Sequence, residues 1–396
     1  MFRGMFVAGL ALASVVGAGP VSAVPKPRGD QWWLSTTGIQ QAWKQSTGQG
    51  VTVALIDGKP VLGLREFRGA RIRKGRDFRR YGDGFVKPPE WDQEHGTGML
   101  SLIAAQGGGS GYQGAAPDAE VLTIPVNGGA DFREALRYAI DQGADVVNMS
   151  FAGVDISTAE PVCDAGWQEA VDYAAEHDVV LVAGAGNNRS SENLPYVPAM
   201  CPGVLAVAGL SKELTLRKKP VRQPYIAIAA PSDEVSSLRD SGALWVGDGG
   251  TSSAAALTTA AIALLRSAHP GESARQIVAR LLYAAQDVHT PGWDDHTGYG
   301  LIRPDRALTA TVPSGFANTV YDRFDAWHKE QAELKQQREN PPDFAVGGDP
   351  NRERSTSSDW ETYAPWLLGA GALSLAAVFT GFLVFRRRRR GAARSL

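Results

Sequence analysis

Three short segments of this 396-residue chain carry side chains suited to covalent chemistry on a carbonyl. Asp57 ends the apolar run Val51 to Ile56, and His95 heads Gly96-Thr97-Gly98-Met99-Leu100. Ser252 follows Gly250-Thr251 and opens an Ala-rich stretch. A serine hydroxyl is a poor nucleophile until a base takes its proton. His95 is the candidate base, and a buried Asp57 would hold its tautomer and stabilise the imidazolium. Asp, then His, then Ser is one of the chain orders in which this acyl-transfer triad occurs. Gly184-Ala185-Gly186-Asn187 lies between the His and the Ser and could supply an amide donor to the developing oxyanion. Losing such a donor typically costs about 10²–10³ in rate. His177, His269, His289, His296 and His328 head no comparable turn. Asp77, Asp83 and Asp92 stand behind Asp57 as weaker alternatives.

These residues need a scaffold, and the hydrophobic pattern supplies one. Val51–Ile56, Val121–Val126, Asp145–Met149, Val179–Ala183 and Val204–Ala208 are short, apolar and Val-rich, as buried parallel strands should be. Between them, Asp131–Gln142 places Phe132, Ala135, Leu136, Ala139 and Ile140 on one helical face. Trp167, Ala170, Val171 and Ala174 repeat that spacing in the next helix. Alternating strands and helices predict an α/β fold with a mostly parallel sheet covered on both faces. Asp57 then falls at the carboxyl end of the first strand, where open α/β sheets place their sites. Gly96 and Gly98 let a helix start tightly behind His95, and Gly249-Gly250 permits a sharp turn before Ser252. A nucleophile at the start of the helix Ala254–Leu265 gains positive potential from the helix dipole.

The chain ends indicate where this body works. Residues 1–23 carry Arg3, an apolar stretch and Val21-Ser22-Ala23, the pattern of a secretory signal peptide. Residues 365–385 are uncharged and long enough to cross a bilayer, with Trp360, Tyr363 and Trp366 at the interface. Arg386 to Arg390 and Arg394 follow in the tail, residues 386–396, which the positive-inside rule keeps in the cytoplasm. Residues 313–364 read as a polar, Pro-rich linker containing a charged helix over 320–340. The net charge of −2 hides an acidic exterior once Arg3 and the tail arginines are set aside, which argues against nucleic acid as a partner. Cys163 and Cys201 are the two cysteines, and an even count in an oxidising compartment favours one disulfide over two buried thiols. No acidic loop has convincing metal spacing, so no metal and no cofactor is expected.

Taken together, the ordered motifs resemble the subtilisin-like serine proteases over roughly residues 30–310. The resemblance implies a three-layer fold, a peptidase domain over 50–312, and Asn187 rather than Asn188 as oxyanion donor. It also implies that Ser150, Phe151, Ala152 and Gly153 form the strand that pairs with extended substrate. Gly58, Ser253 and Ala256 depart from the residues usual at those places, which bears on the geometry at Asp57 and on the pocket. Residues 24–49 are too short for a folded inhibitory prodomain, and Trp32, Trp33 and Trp43 suit packing along the body instead. The whole layout resembles the mycosins, membrane-anchored proteases associated with type VII secretion in actinobacteria. That implies exported secretion proteins as substrates and the secretion membrane complex as partner. A general cell-surface subtilase is one alternative. A scaffold that stabilises the secretion complex, with catalysis secondary, is the other.

Overall fold

The computed structural model describes residues 24–79, 94–127, 131–153, 163–187, 193–247 and 249–340. The signal segment 1–23, linker residues 341–364, the apolar segment 365–385, the basic tail 386–396, Asp83, Asp92 and Asn188 lie outside the described residues. Among the described residues no helix is long and apolar enough to cross a membrane.

Two short helices, α1 (Trp32–Thr36) and α2 (Ile39–Ala42), lead into β1 (Thr52–Asp57) and β2 (Arg71–Lys74). Next come α3 (His95–Ala104), β3 (Glu120–Pro125), α4 (Asp131–Asp141), β4 (Val146–Met149), α5 (Ala165–Glu176) and β5 (Val180–Gly184). β6 (Val204–Leu210) and β7 (Ile226–Pro231) precede a small hairpin of β8 (Ser237–Leu238) and β9 (Leu244–Trp245). The described chain closes with α6 (Gly250–Ala268), α7 (Ala274–Tyr283), α8 (Pro304–Ala307) and α9 (Thr319–Glu339).

The seven strands of the main sheet run in the order β2-β3-β1-β4-β5-β6-β7, and every pairing is parallel. Side chains alternate across it, as the pleat requires. Val53, Leu55, Val180 and Val182 join the cluster that holds α3 and α6. Ala54, Ile56, Leu181 and Ala183 face the opposite cluster, with Leu136 of α4 and Val171 of α5. The result is the three-layer, subtilisin-like α/β architecture. β2 and β7 escape the hydrophobic reading for different reasons. β2 is Arg-Ile-Arg-Lys, a charged edge strand whose Arg73 pairs with Glu120 at 2.8 Å, and such charge protects an edge from further pairing. β7 is half alanine and ends in Pro231, so only Ile226 and Ile228 carry the β-branched signature even though all six residues are buried.

Residues 24–49 pack along the body, as their tryptophans lead one to expect: Trp33, Leu34, Ile39, Ala42 and Trp43 lie in the core cluster that includes α6. Trp43 Nε1 donates to Ala115 O at 2.8 Å, and Trp32 Nε1 donates to Glu234 O at 3.1 Å. Burying an indole contributes on the order of 2–3 kcal/mol, so this segment stabilises the body it borders. Within the segment read as linker from residue 313, the expected charged helix over 320–340 is α9 (Thr319–Glu339). One compact unit extends to Lys335, and Val320 and Tyr321 of α9 are buried in its core. Of the second unit, Gln336–Leu396, the described residues are the end of α9 and Asn340.

Cys163 and Cys201 are joined in a disulfide that ties the start of α5 to the turn before β6. Their separation of 38 residues predicts a contribution of roughly 3–4 kcal/mol in the chain-entropy account. A non-reduced digest should therefore yield one cross-linked peptide pair by mass spectrometry, and Cys163→Ser/Cys201→Ser should lower Tm. Two thiols open to alkylation in the native protein would contradict the bridge.

Candidate active site

Asp57 ends β1 in the middle of the sheet and is only 5% exposed. Its Oδ1 accepts the Gly58 backbone N–H at 2.7 Å and contacts His95 Nδ1 at the same distance. The carboxylate can only accept, so the proton between them sits on Nδ1 and a neutral imidazole keeps its basic lone pair on Nε2. His95 is the first residue of α3, and Gly96 explains how the helix can start so close to β1. A Cβ at Gly96 would stand 2.0 Å from the Gly58 carbonyl oxygen. Glycine is what the contact permits.

Ser252 occupies the first turn of α6, whose 19 residues are buried along nearly their whole length. The turn into the helix needs Gly250, which has φ +66 and would push a Cβ to 2.8 Å from Asn187 Nδ2. Ser252 Oγ donates to Ser150 O at 3.0 Å, and Ser150 Oγ returns a hydrogen bond to the Ser252 carbonyl at 3.0 Å. Asn148, fully buried on β4, donates to Ser150 Oγ and accepts from Thr259 Oγ1 of α6. This network fixes the serine turn against the sheet.

Asn187 follows β5. Its Oδ1 accepts from the Thr251 backbone N–H at 3.0 Å and from Arg217 Nη1 at 2.5 Å. His95, Ser252 and Asn187 line one cleft of about 1100 Å³ along with Ser150, Phe151 and Ala152. Met99, Leu194, Leu238 and Trp245 supply apolar wall, and Glu94 and Arg239, 3.3 Å apart, add an ion pair. Gly153 is placed differently from its three neighbours. It forms a bridge to Val197 instead, with two hydrogen bonds of 2.9 Å.

The remaining titratable candidates go elsewhere. Asp77 pairs with Arg79, which holds its carboxyl below the usual range even though burial works the other way. His177 bonds Tyr173 O, His269 bonds Leu308 O, and His328 bonds Asp172. His289, Asp294 and His296 bring ligand-type atoms within 4.8 Å of one another, a grouping that the loop spacing did not suggest. Asp294, however, already accepts hydrogen bonds from Thr290, His296 and Thr297 at both oxygens. Its hydrogen bonding is that of a turn keystone. Sequence reasoning missed Arg217 and Trp245 at the cleft. Arg217 sits in a polar loop without motif, and Trp245 lies on a two-residue strand, so neither had a pattern to betray it.

A doubly covered parallel sheet with an Asp–His contact and a helix-start serine in one cleft defines the subtilisin-like class. The profile of the Subtilase family matches residues 48–300, and the chain belongs to that family of serine proteases. Fervidolysin of Fervidobacterium pennivorans is 31% identical over 327 residues, covering 72% of this chain but 44% of fervidolysin. The chain thus spans under half the length of that relative. Mycosin-1 of Mycobacterium tuberculosis is 29% identical over 351 residues, 74% of this chain and 76% of the mycosin. Among solved structures, MycP1 with its N-terminal propeptide removed aligns at TM-score 0.62 and 26% identity, over 72% of this chain and 98% of that one. The MycP3 protease of the type VII (ESX-3) secretion system aligns at TM-score 0.59 and 28% identity, over 74% and 92% respectively.

The close approach at Gly96 gives a direct test of how tightly the pair is held. Gly96→Ala should slow fluorophosphonate labelling of the purified chain about a hundredfold, the usual cost of displacing a reacting group by ~1 Å. Tm should be measured beside it. A folded variant that labels at the original rate would show that the approach is not needed.

Proposed function

We propose that this chain is a membrane-anchored, extracytoplasmic serine endopeptidase of the mycosin kind, cleaving peptide bonds through an acyl-enzyme. The observation that carries the reading is the 2.7 Å contact of buried Asp57 with His95, which lines the cleft that also holds Ser252. Ser252 is the nucleophile. Its hydroxyl, resting on Ser150 O, turns to His95 Nε2, which takes the proton as Oγ attacks the peptide carbonyl carbon. Asp57 holds the imidazole and stabilises its cation. The carbonyl electrons move onto oxygen, where Asn187 Nδ2 and amides at the start of α6 meet the charge. His95 then passes its proton to the leaving amine, the peptide bond breaks, and water releases the acyl group by the same steps in reverse roles. Ser150, Phe151 and Ala152 lie beside the nucleophile, where an extended peptide would run.

The similarity to mycosin-1 and MycP3 supports exported proteins of a type VII secretion system as substrates and its membrane complex as partner. The apolar segment 365–385 anchors the chain, and the arginines after it keep the tail inside. One experiment addresses both parts of the reading. A membrane-impermeant fluorophosphonate probe should label the chain on intact cells, in the membrane fraction, and Ser252→Ala should abolish labelling. Label that persists in Ser252→Ala would falsify the nucleophile assignment, and label only after lysis would overturn the orientation. His95→Ala should lose nearly as much, because the members act as a unit.

The place of residues 24–49 supports competence without activation cleavage. The described residues lining the cleft run from Glu94 to Ser253, whereas Trp33 and Trp43 are buried in the core. A segment held this way supports the fold and leaves the cleft open. The active membrane form should begin at or near Val24 when its N-terminus is sequenced. Activity that appears only after cleavage near Gly48 would restore a zymogen mechanism.

A further inference from the structure

Asn187 can stabilise an oxyanion only if its amide presents nitrogen, not oxygen, to the cleft. Nothing intrinsic to an asparagine on a loop enforces this, since the two orientations have almost the same shape. Here the choice is made by Oδ1, which is held by two donors at once. The Thr251 backbone N–H approaches it at 3.0 Å, and Arg217 Nη1 approaches it at 2.5 Å. A flipped amide would aim its NH₂ at a peptide N–H and a guanidinium, three donor groups with no acceptor among them. The guanidinium is itself fixed. Arg217 Nε donates to Asp233 Oδ1 at 2.6 Å, and Ser232 Oγ donates to the same oxygen at 3.1 Å. The side chains of Arg217 and Asp233 are only 17% and 21% exposed, so solvent screens this charge-assisted contact weakly.

We propose that Arg217, clamped by Asp233, is the positioning residue that holds Asn187 as an oxyanion donor. The proposal rests on the reading of Asn187 and Ser252 given above. The clamp does two things. It locks the amide so that Nδ2 faces the cleft, and it draws electron density toward Oδ1, which makes the Nδ2 hydrogens stronger donors. Both effects act mainly when negative charge has formed on the substrate oxygen. They belong to the transition state more than to substrate binding, so removing them should lower kcat and leave KM nearly alone. Lysine should not substitute. Its single ammonium is a point charge that cannot reproduce a planar fork bridging Asp233 and Asn187.

The test is steady-state hydrolysis of a chromogenic peptide by the purified full-length chain, with Tm recorded for each variant. Arg217→Met should lower kcat at least tenfold with KM changed less than about twofold, short of the roughly 10²–10³ expected for Asn187→Ala. In the Asn187→Ala background, adding Arg217→Met should change kcat by less than about twofold, because the partner it acts through is gone. If Arg217→Met does not fold, Arg217→Lys decides alone, since it keeps a cation beside Asp233. It should still lose kcat at unchanged KM. Normal kcat in either folded variant overturns the proposal, as does a loss of the same size in the Asn187→Ala background. If Asn187→Ala itself keeps its kcat, the oxyanion reading fails first, and that outcome is distinguishable from failure of the clamp.

Discussion

Everything in this site depends on keeping a carboxylate nearly dry at the end of β1. Removing such a group from water is costly unless hydrogen bonds replace the lost solvent. Asp57 receives two, from the Gly58 amide and from the His95 ring, both at 2.7 Å. Its second oxygen is buried with no hydrogen-bond partner among the described residues, and Gly58 offers no hydroxyl to fill that place. The imidazole is therefore one of the two polar supports of the carboxylate as well as its client. That reciprocity ties the register of β1, the start of α3 and the Gly58–Gly96 approach into one requirement.

The sheet order explains why three distant segments converge. β1 lies between β3 and β4, so the chain departs in both directions from the strand that carries Asp57. Segments leaving β1, β4 and β5 reach the same edge, and α6 crosses beneath them with its first turn at that edge. Ser150 and Ser252 exchange hydrogen bonds there, and Asn187 accepts from the residue just before Ser252. A buried alanine-rich helix suits this role. Small side chains let it lie close to the sheet, so the position of its first turn is set by packing along its whole length.

Much of this was legible in the chain. Val-rich runs marked five of the seven sheet strands because buried parallel strands need apolar residues on both faces. Glycines marked the turns at Gly96 and Gly250 because a Cβ would collide there. Asp57 and His95 were identifiable as a pair only through their order and surroundings, and they do lie in contact. What stayed hidden lacked a periodic or steric signature. β2 reads as a charged loop until β3 is there to accept it. The tryptophans of residues 24–49 suggested packing along the body, but their partners Ala115 and Glu234 are far away in sequence and could not be read. The first turns of α9 look like linker because only Val320, Tyr321 and Phe324 betray their packing.

Arg217 shows why the limit falls where it does. A catalytic serine is announced by its neighbours in sequence, because the turn that exposes it needs particular backbone. A positioning residue needs only to arrive with the right functional group, and any loop of sufficient reach can deliver it. Arg217 comes from the loop after β6, and its anchor Asp233 comes from just beyond β7. Segments that follow the two outermost strands on that side thus steer an amide that follows β5. This division lets the reacting groups stay on rigid elements, while the residues that tune them sit on loops that are free to differ between relatives. In such a site chemistry is carried by local motif, and the orientation that makes it effective is carried by tertiary contact.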